Sequence, residues 1–136
     1  MNGSKAIGLA ISIFALAACD GDDQKAAQPL SGAELGKNAF RVCASCHSTA
    51  PRGTREGDMR MVGPNLHGIV GQPAAAVPGF AYSQAMRNSG LVWDEAALDA
   101  FIEHPQTVVR GTRMSFFGEP DPEKRQAIVD YLKTLK

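Results

Sequence analysis

Cysteine is scarce in this chain, with three residues in 136. That is too few for a disulfide framework. Neither sign of charge is in excess, at 14 basic and 14 acidic residues, so nothing points to a nucleic-acid partner. Aromatic residues make up only 7% of the sequence. No apolar run reaches the ~20 residues that cross a bilayer as a helix; the run from Ala6 to Ala18 is about 13 long. There is no internal repeat, and Ala74-Ala75-Ala76 is too short to count as low complexity. A length of 136 residues allows one small domain.

The N-terminus reads as an address. Lys5 precedes the apolar run, which ends in small residues, the pattern of a secretory signal peptide. Leu16-Ala17-Ala18-Cys19 resembles the lipobox of bacterial lipoproteins, in which the cysteine becomes the first mature residue and carries acyl chains. Two readings stand: plain cleavage near Ala18, and lipidation of Cys19, which also accounts for a cysteine without a partner in an exported chain. Two or more acyl chains suffice for stable anchoring. Asp20 resembles the signal that retains enterobacterial lipoproteins in the inner membrane. Asp20 to Leu30 is polar, contains Gly and Pro and lacks an apolar period, so it reads as a tether, at most about 35–40 Å when extended. The expected organisation is signal peptide 1–18, anchored cysteine and tether 19–30, and one folded domain 31–136.

The folded part is organised around Cys43-Ala44-Ser45-Cys46-His47. This is the C-x-x-C-H pattern of covalent haem attachment. Two thiols at this spacing can form thioethers to the two vinyl groups of one porphyrin, and the adjacent histidine can donate an imidazole nitrogen to iron. A bare C-x-x-C also serves zinc and dithiol sites. A zinc site would need further ligands, and the other histidines, His67 and His104, are at no zinc-finger spacing. A covalent cofactor would supply apolar surface that a small domain lacks.

Other stretches frame this motif. Ser31-Gly32-Ala33-Glu34 has capping-box spacing and predicts a helix carrying Leu35, Ala39 and Phe40 on an apolar stripe. Gly36 is either indifferent or a place of close helix approach. Asp121-Pro122 predicts the start of a last helix with Ile128, Tyr131, Leu132 and Leu135 inward. Ser48 to Val62 reads as a solvated loop. In Gly63-Pro64-Asn65-Leu66-His67-Gly68, the Pro64 carbonyl is available to orient a ligating histidine. His67 is a rival axial ligand or a structural residue. A short helix is expected at Ser83 to Asn88, ended by Gly90, and another from Asp94 to near His104, stopped by Pro105. Tyr82 and Trp93 are core aromatics or donors to haem propionates. Met114, in the loop Gly111-Thr112-Arg113-Met114, is a core residue or the second axial ligand; Met59, Met61 and Met86 are weaker candidates.

Taken in order, these blocks resemble the class I c-type cytochromes, from about Gly36 to the C-terminus. The resemblance implies an all-α small cytochrome c fold, with about four or five short helices around one covalent haem c. It implies that Cys43 and Cys46 hold the haem, that His47 and Met114 ligate iron, and that Pro64 accepts from His47. It further implies that Tyr82 and Trp93 bind a propionate and that Gly36, Phe40 and Tyr131 form the crossing of first and last helices. Thr112 and Arg113 would flank the exposed haem edge. The chain departs from the pattern at Phe101, where many members have a tyrosine bonded to the axial methionine. Met86 stands where an asparagine often holds a water, and Gln72 where an arginine is common near a propionate. Lysines, usual around the haem edge, are scarce, while arginines, among them Arg41, Arg87, Arg110 and Arg113, are available.

The functional expectation is an electron carrier, not an enzyme, lipid-anchored through Cys19 on the periplasmic side of a bacterial inner membrane. It would take electrons from a quinol-oxidising complex and pass them to a terminal oxidase or another acceptor. The rivals are a haem peroxidase or gas sensor with labile methionine ligation, and a fixed electron-transfer subunit of one dehydrogenase or oxidase.

Overall fold

The structure, a computed structural model, describes residues 32–136. The signal, Cys19, the tether and the Ser31 cap lie outside the described residues. The first helix, α1, spans Gly32–Ala39 and tightens into a 3₁₀ turn at Phe40–Val42. The last, α5, spans Pro122–Thr134. Its start has the expected cause: the Asp121 carboxylate accepts from the N–H groups of Glu123 (3.0 Å) and Lys124 (3.4 Å), and Pro122 occupies a position whose N–H would be unpaired anyway.

These two helices cross at Gly36. A β-carbon there would overlap the Ala127 carbonyl oxygen and stand 2.7 Å from the Tyr131 Cβ. The missing side chain therefore lets the backbones meet. One step further on, the Phe40 and Tyr131 rings pack with centroids 5.2 Å apart. Ile128, Val129 and Leu132 of α5 are buried. Leu35, expected in the core, is 49% exposed. With the contact centred on Gly36, its neighbour Leu35 falls to the side, on a groove shared with Pro122 and Ala127.

Between these helices lie three short ones. Helix α2, Gln84–Arg87, is capped by the Ser83 hydroxyl, which accepts from the Met86 N–H at 3.1 Å. Helix α3, Glu95–Glu103, is capped by Asp94, which accepts from the Ala97 N–H at 2.8 Å. It stops at His104, as Pro105 requires. A further turn, α4, Pro105–Val108, follows at once and was not expected; Pro105 opens it as a first-turn proline. No strand occurs among the described residues, only an isolated bridge between Pro73 and Val92.

The core gathers Phe40, Trp93, Leu98, Phe101, Ile128 and Leu132. Arg125, on α5, is also buried, a position that sequence patterning did not reveal. Its guanidinium donates to Asp99 (2.8 Å) and to the carbonyls of Glu119 (3.0 Å) and Pro120 (2.9 Å), with Glu103 at 3.4 Å. This satisfies a buried charge and ties α5 to α3.

Candidate haem site

The 3₁₀ turn after α1 sets the cysteines. Phe40 accepts from the Cys43 and Ala44 N–H groups, and the Cys43 carbonyl accepts from the N–H groups of Cys46 and His47, both at 3.0 Å. The motif is thus wound as a helical turn. Both thiols are free. Burial pushes the Cys43 thiol up to about 11, with Cys46 and Glu119 adding to the effect against a backbone hydrogen bond.

His47 Nδ1 lies 2.7 Å from the Pro64 carbonyl oxygen. A carbonyl only accepts, so Nδ1 carries the proton and Nε2 keeps its lone pair for a metal. Burial lowers the His47 pKa, opposed by the bond to Pro64. The neutral, ligating form is the one this environment favours. Gly63 backs the ring, and its N–H donates to the Cys46 carbonyl at 2.8 Å.

Asn65 locks this segment. Its Nδ2 donates to the carbonyls of Ala50 (2.9 Å) and Gly57 (2.7 Å), and its Oδ1 accepts from the His67 N–H at 2.7 Å. The stretch from Ser48 to Val62 is therefore tied near its start and at its middle to the ligand loop, although most of its side chains are exposed as expected. Sequence reading missed this role. The clue was an asparagine, a side chain with two donors and an acceptor, directly after the glycine–proline turn.

Met114 is half-buried against the core. Its loop is pinned: the Thr112 hydroxyl accepts from the Met114 N–H at 3.3 Å, and Gln106 Nε2 donates to the carbonyls of Thr112 (3.0 Å) and Met114 (3.3 Å). Arg113 donates to the Ala81 carbonyl, joining this loop to the segment before Tyr82. Thr112 thus braces the methionine loop. Among the rival thioethers, Met59 is 56% exposed and Met86 is buried in the α2 core contact.

Tyr82 is half-buried, and its ring packs edge-on against Phe80 at 4.8 Å. Burial raises its phenol pKa, while a hydrogen bond with the Val77 backbone and the nearby Arg52 charge pull it back. Trp93 is buried, with its ring 5.0 Å from that of Phe101. Its backbone is fixed by bonds to Gln72 and Gly71, each at 2.9 Å. His67 is half-buried and engaged through its backbone, and His104 is exposed at the α3–α4 break. Among the described residues no group of three or more His, Cys, Asp or Glu could hold a metal ion, so the zinc alternative has no ligand set there.

Two free thiols on one helical turn, and an adjacent imidazole oriented by a carbonyl with Nε2 free, fit covalent haem. An all-α domain built around that arrangement is a c-type cytochrome. A sequence model of the family described as cytochrome c matches residues 33–136, and the chain belongs to that family. It is similar to cytochrome c2 of Rhodopila globiformis, 45% identical over 74% of this chain and 91% of the relative. It is also similar to cytochrome c2 of Rhodomicrobium vannielii, 43% identical over 73% of this chain and 75% of that one. Among solved structures, cytochrome cH from Methylobacterium extorquens matches 75% of this chain and 97% of its own, with a TM-score of 0.67 and 40% identity. The protein carries one haem c, attached through Cys43 and Cys46, and is a single-haem electron carrier rather than an enzyme.

Proposed function

We propose that this cytochrome moves single electrons between membrane redox complexes, from a quinol-oxidising donor to a terminal oxidase or another acceptor, with His47 and Met114 as the axial ligands. The observation that carries this reading is the 2.7 Å bond between His47 Nδ1 and the Pro64 carbonyl, which leaves Nε2 as the free ring nitrogen. Haem supplies a one-electron couple between ferric and ferrous iron. Cys43 and Cys46 would hold it, Pro64 would orient His47, and Thr112 with Gln106 would hold the Met114 loop in place. Tyr82 and Trp93 would bind a propionate. His47 and Met114 would both ligate the iron and leave it little room for bond-making, which separates this reading from a peroxidase or gas sensor. In assays with isolated membranes, the reduced protein is expected to be oxidised by the terminal oxidase, and the oxidised protein reduced by quinol. Turnover of peroxide by the native protein without any such exchange would overturn the proposal.

The location is part of the proposal. Cys19 would be lipidated and the domain held on the periplasmic face by the 19–30 tether. No described helix is long and apolar enough to cross a membrane. Confinement raises the effective concentration of partners. The exported protein is expected in the membrane fraction, and a Cys19→Ala variant that stays there would refute the anchor.

A further inference from the structure

A cavity of about 220 Å³ opens beside Tyr82, lined by Arg52, Ile69, Gln72, Ala76, Val77 and Pro78. Its wall at Val77 shares a backbone hydrogen bond with Tyr82. Arg52 comes from the loop that follows the haem-binding turn, far in sequence from the other lining residues. Its guanidinium folds back over Gly68, with Nη2 3.9 Å from where a β-carbon would stand. Other arginines show their structural tasks: Arg125 has two acidic partners, and Arg113 and Arg87 hold carbonyls. Arg52 makes no side-chain hydrogen bond or ion pair among the described residues, although Glu56 and Asp58 share its loop.

An unpaired guanidinium and the Gln72 amide line one cavity, with the Tyr82 phenol bonded to its Val77 wall, a donor set suited to a carboxylate. Position 72, where the resemblance implies an arginine, carries Gln72 and no charge. We propose that Arg52, reaching across from the loop after the haem-binding turn, supplies the guanidinium that neutralises a haem propionate at this cavity, in the place that Gln72 leaves without a cation. The inference rests on the proposed propionate role of Tyr82. Its consequence is electrostatic. A propionate paired with Arg52 stabilises ferric iron less than a bare one does, so the pair holds the reduction potential up.

The test is the reduction potential of the haem-loaded protein, measured by spectroelectrochemistry for a set of variants. Arg52→Gln is expected to raise the ferric-to-ferrous ratio at fixed electrode potential about threefold or more, a fall of about 28 mV at 59 mV per tenfold. Arg55→Gln and Arg60→Gln remove the same charge from the same loop without touching the cavity, and should shift the ratio much less. Adding Gln72→Arg to Arg52→Gln should return the potential towards that of the native protein. An Arg52→Gln shift no larger than those of the two controls, or no recovery in the double variant, would overturn the assignment. Tyr82→Phe separates the two layers: a shift there with none at Arg52 leaves the propionate site standing and removes Arg52 from it, whereas no shift at either removes both.

Discussion

Gly63 and the His47 imidazole touch so closely that no side chain fits between them: a β-carbon on Gly63 would stand 2.6 Å from Nδ1 and 2.8 Å from Nε2. The ring is thus clamped between a hydrogen bond to Pro64 and the bare backbone of the residue before it.

The first prediction follows from that clamp. Gly63→Ala must push the ring off its bond or shift the 63–64 turn. Overpacking of this kind costs about 1–3 kcal/mol. Guanidinium denaturation of the haem-loaded variant should show a lower midpoint with an unchanged slope. Native stability with a native spectrum would mean that the turn yields freely.

Asn65 makes three hydrogen bonds that hold the haem loop, with little exposure to water. Asn65→Ala would leave two carbonyls and one N–H without their partner, a loss of roughly 2–4 kcal/mol. Asn65→Asp keeps the acceptor but sets a carboxylate against the Ala50 and Gly57 carbonyls, so it should be no better. Equilibrium unfolding of both variants checks this, and an aspartate variant as stable as the native protein would contradict it.

Much of this was legible beforehand, for definite reasons. Asp94 and Asp121 announce helix starts because a short oxygen-bearing side chain before an apolar period has one favoured use, and each caps as expected. C-x-x-C-H fixes the cofactor because few other chemistries need that spacing. Gly36 was ambiguous until Ala127 and Tyr131 were placed against it. Leu35 was misjudged because helical periodicity gives a face, not the centre of a crossing. Arg125 reads as a surface residue on its helix, and its burial depends on Asp99 and Glu103 arriving from α3. The position of Arg52 over Gly68 depends on the path of an irregular loop, which no periodicity encodes.

Tyr82 gives a pH prediction. Burial raises its phenol pKa above the ordinary 10.0, so the folded protein holds the proton more tightly than the unfolded chain. The stability this contributes is full below about pH 10 and is lost as pH rises through the folded pKa. Tyr82→Phe should therefore lose stability less steeply above about pH 10 than the native protein does. Thermal melts by circular dichroism across that range provide the check, and parallel curves would show that the phenol is not protonated more strongly in the fold.

Phe101 packs its ring against Trp93 and has no hydroxyl to offer the Met114 sulfur. Phe101→Tyr adds one. We expect a changed reduction potential and slower displacement of the methionine by an added ligand such as imidazole. If both stay as in the native protein, the hydroxyl does not reach the sulfur, and the departure at this position has no bearing on ligation.

The most direct test of the whole account is the optical spectrum of the exported, haem-loaded protein, oxidised and reduced, with Met114→Ala and Met86→Leu beside it. We predict a low-spin c-type spectrum with the weak long-wavelength band of methionine on ferric iron. That band should be absent in Met114→Ala and present in Met86→Leu, and carbon monoxide should bind the reduced Met114→Ala variant but not the native protein. A native spectrum that is high-spin, lacks the band and responds to carbon monoxide would contradict His47/Met114 ligation and with it the electron-shuttle reading.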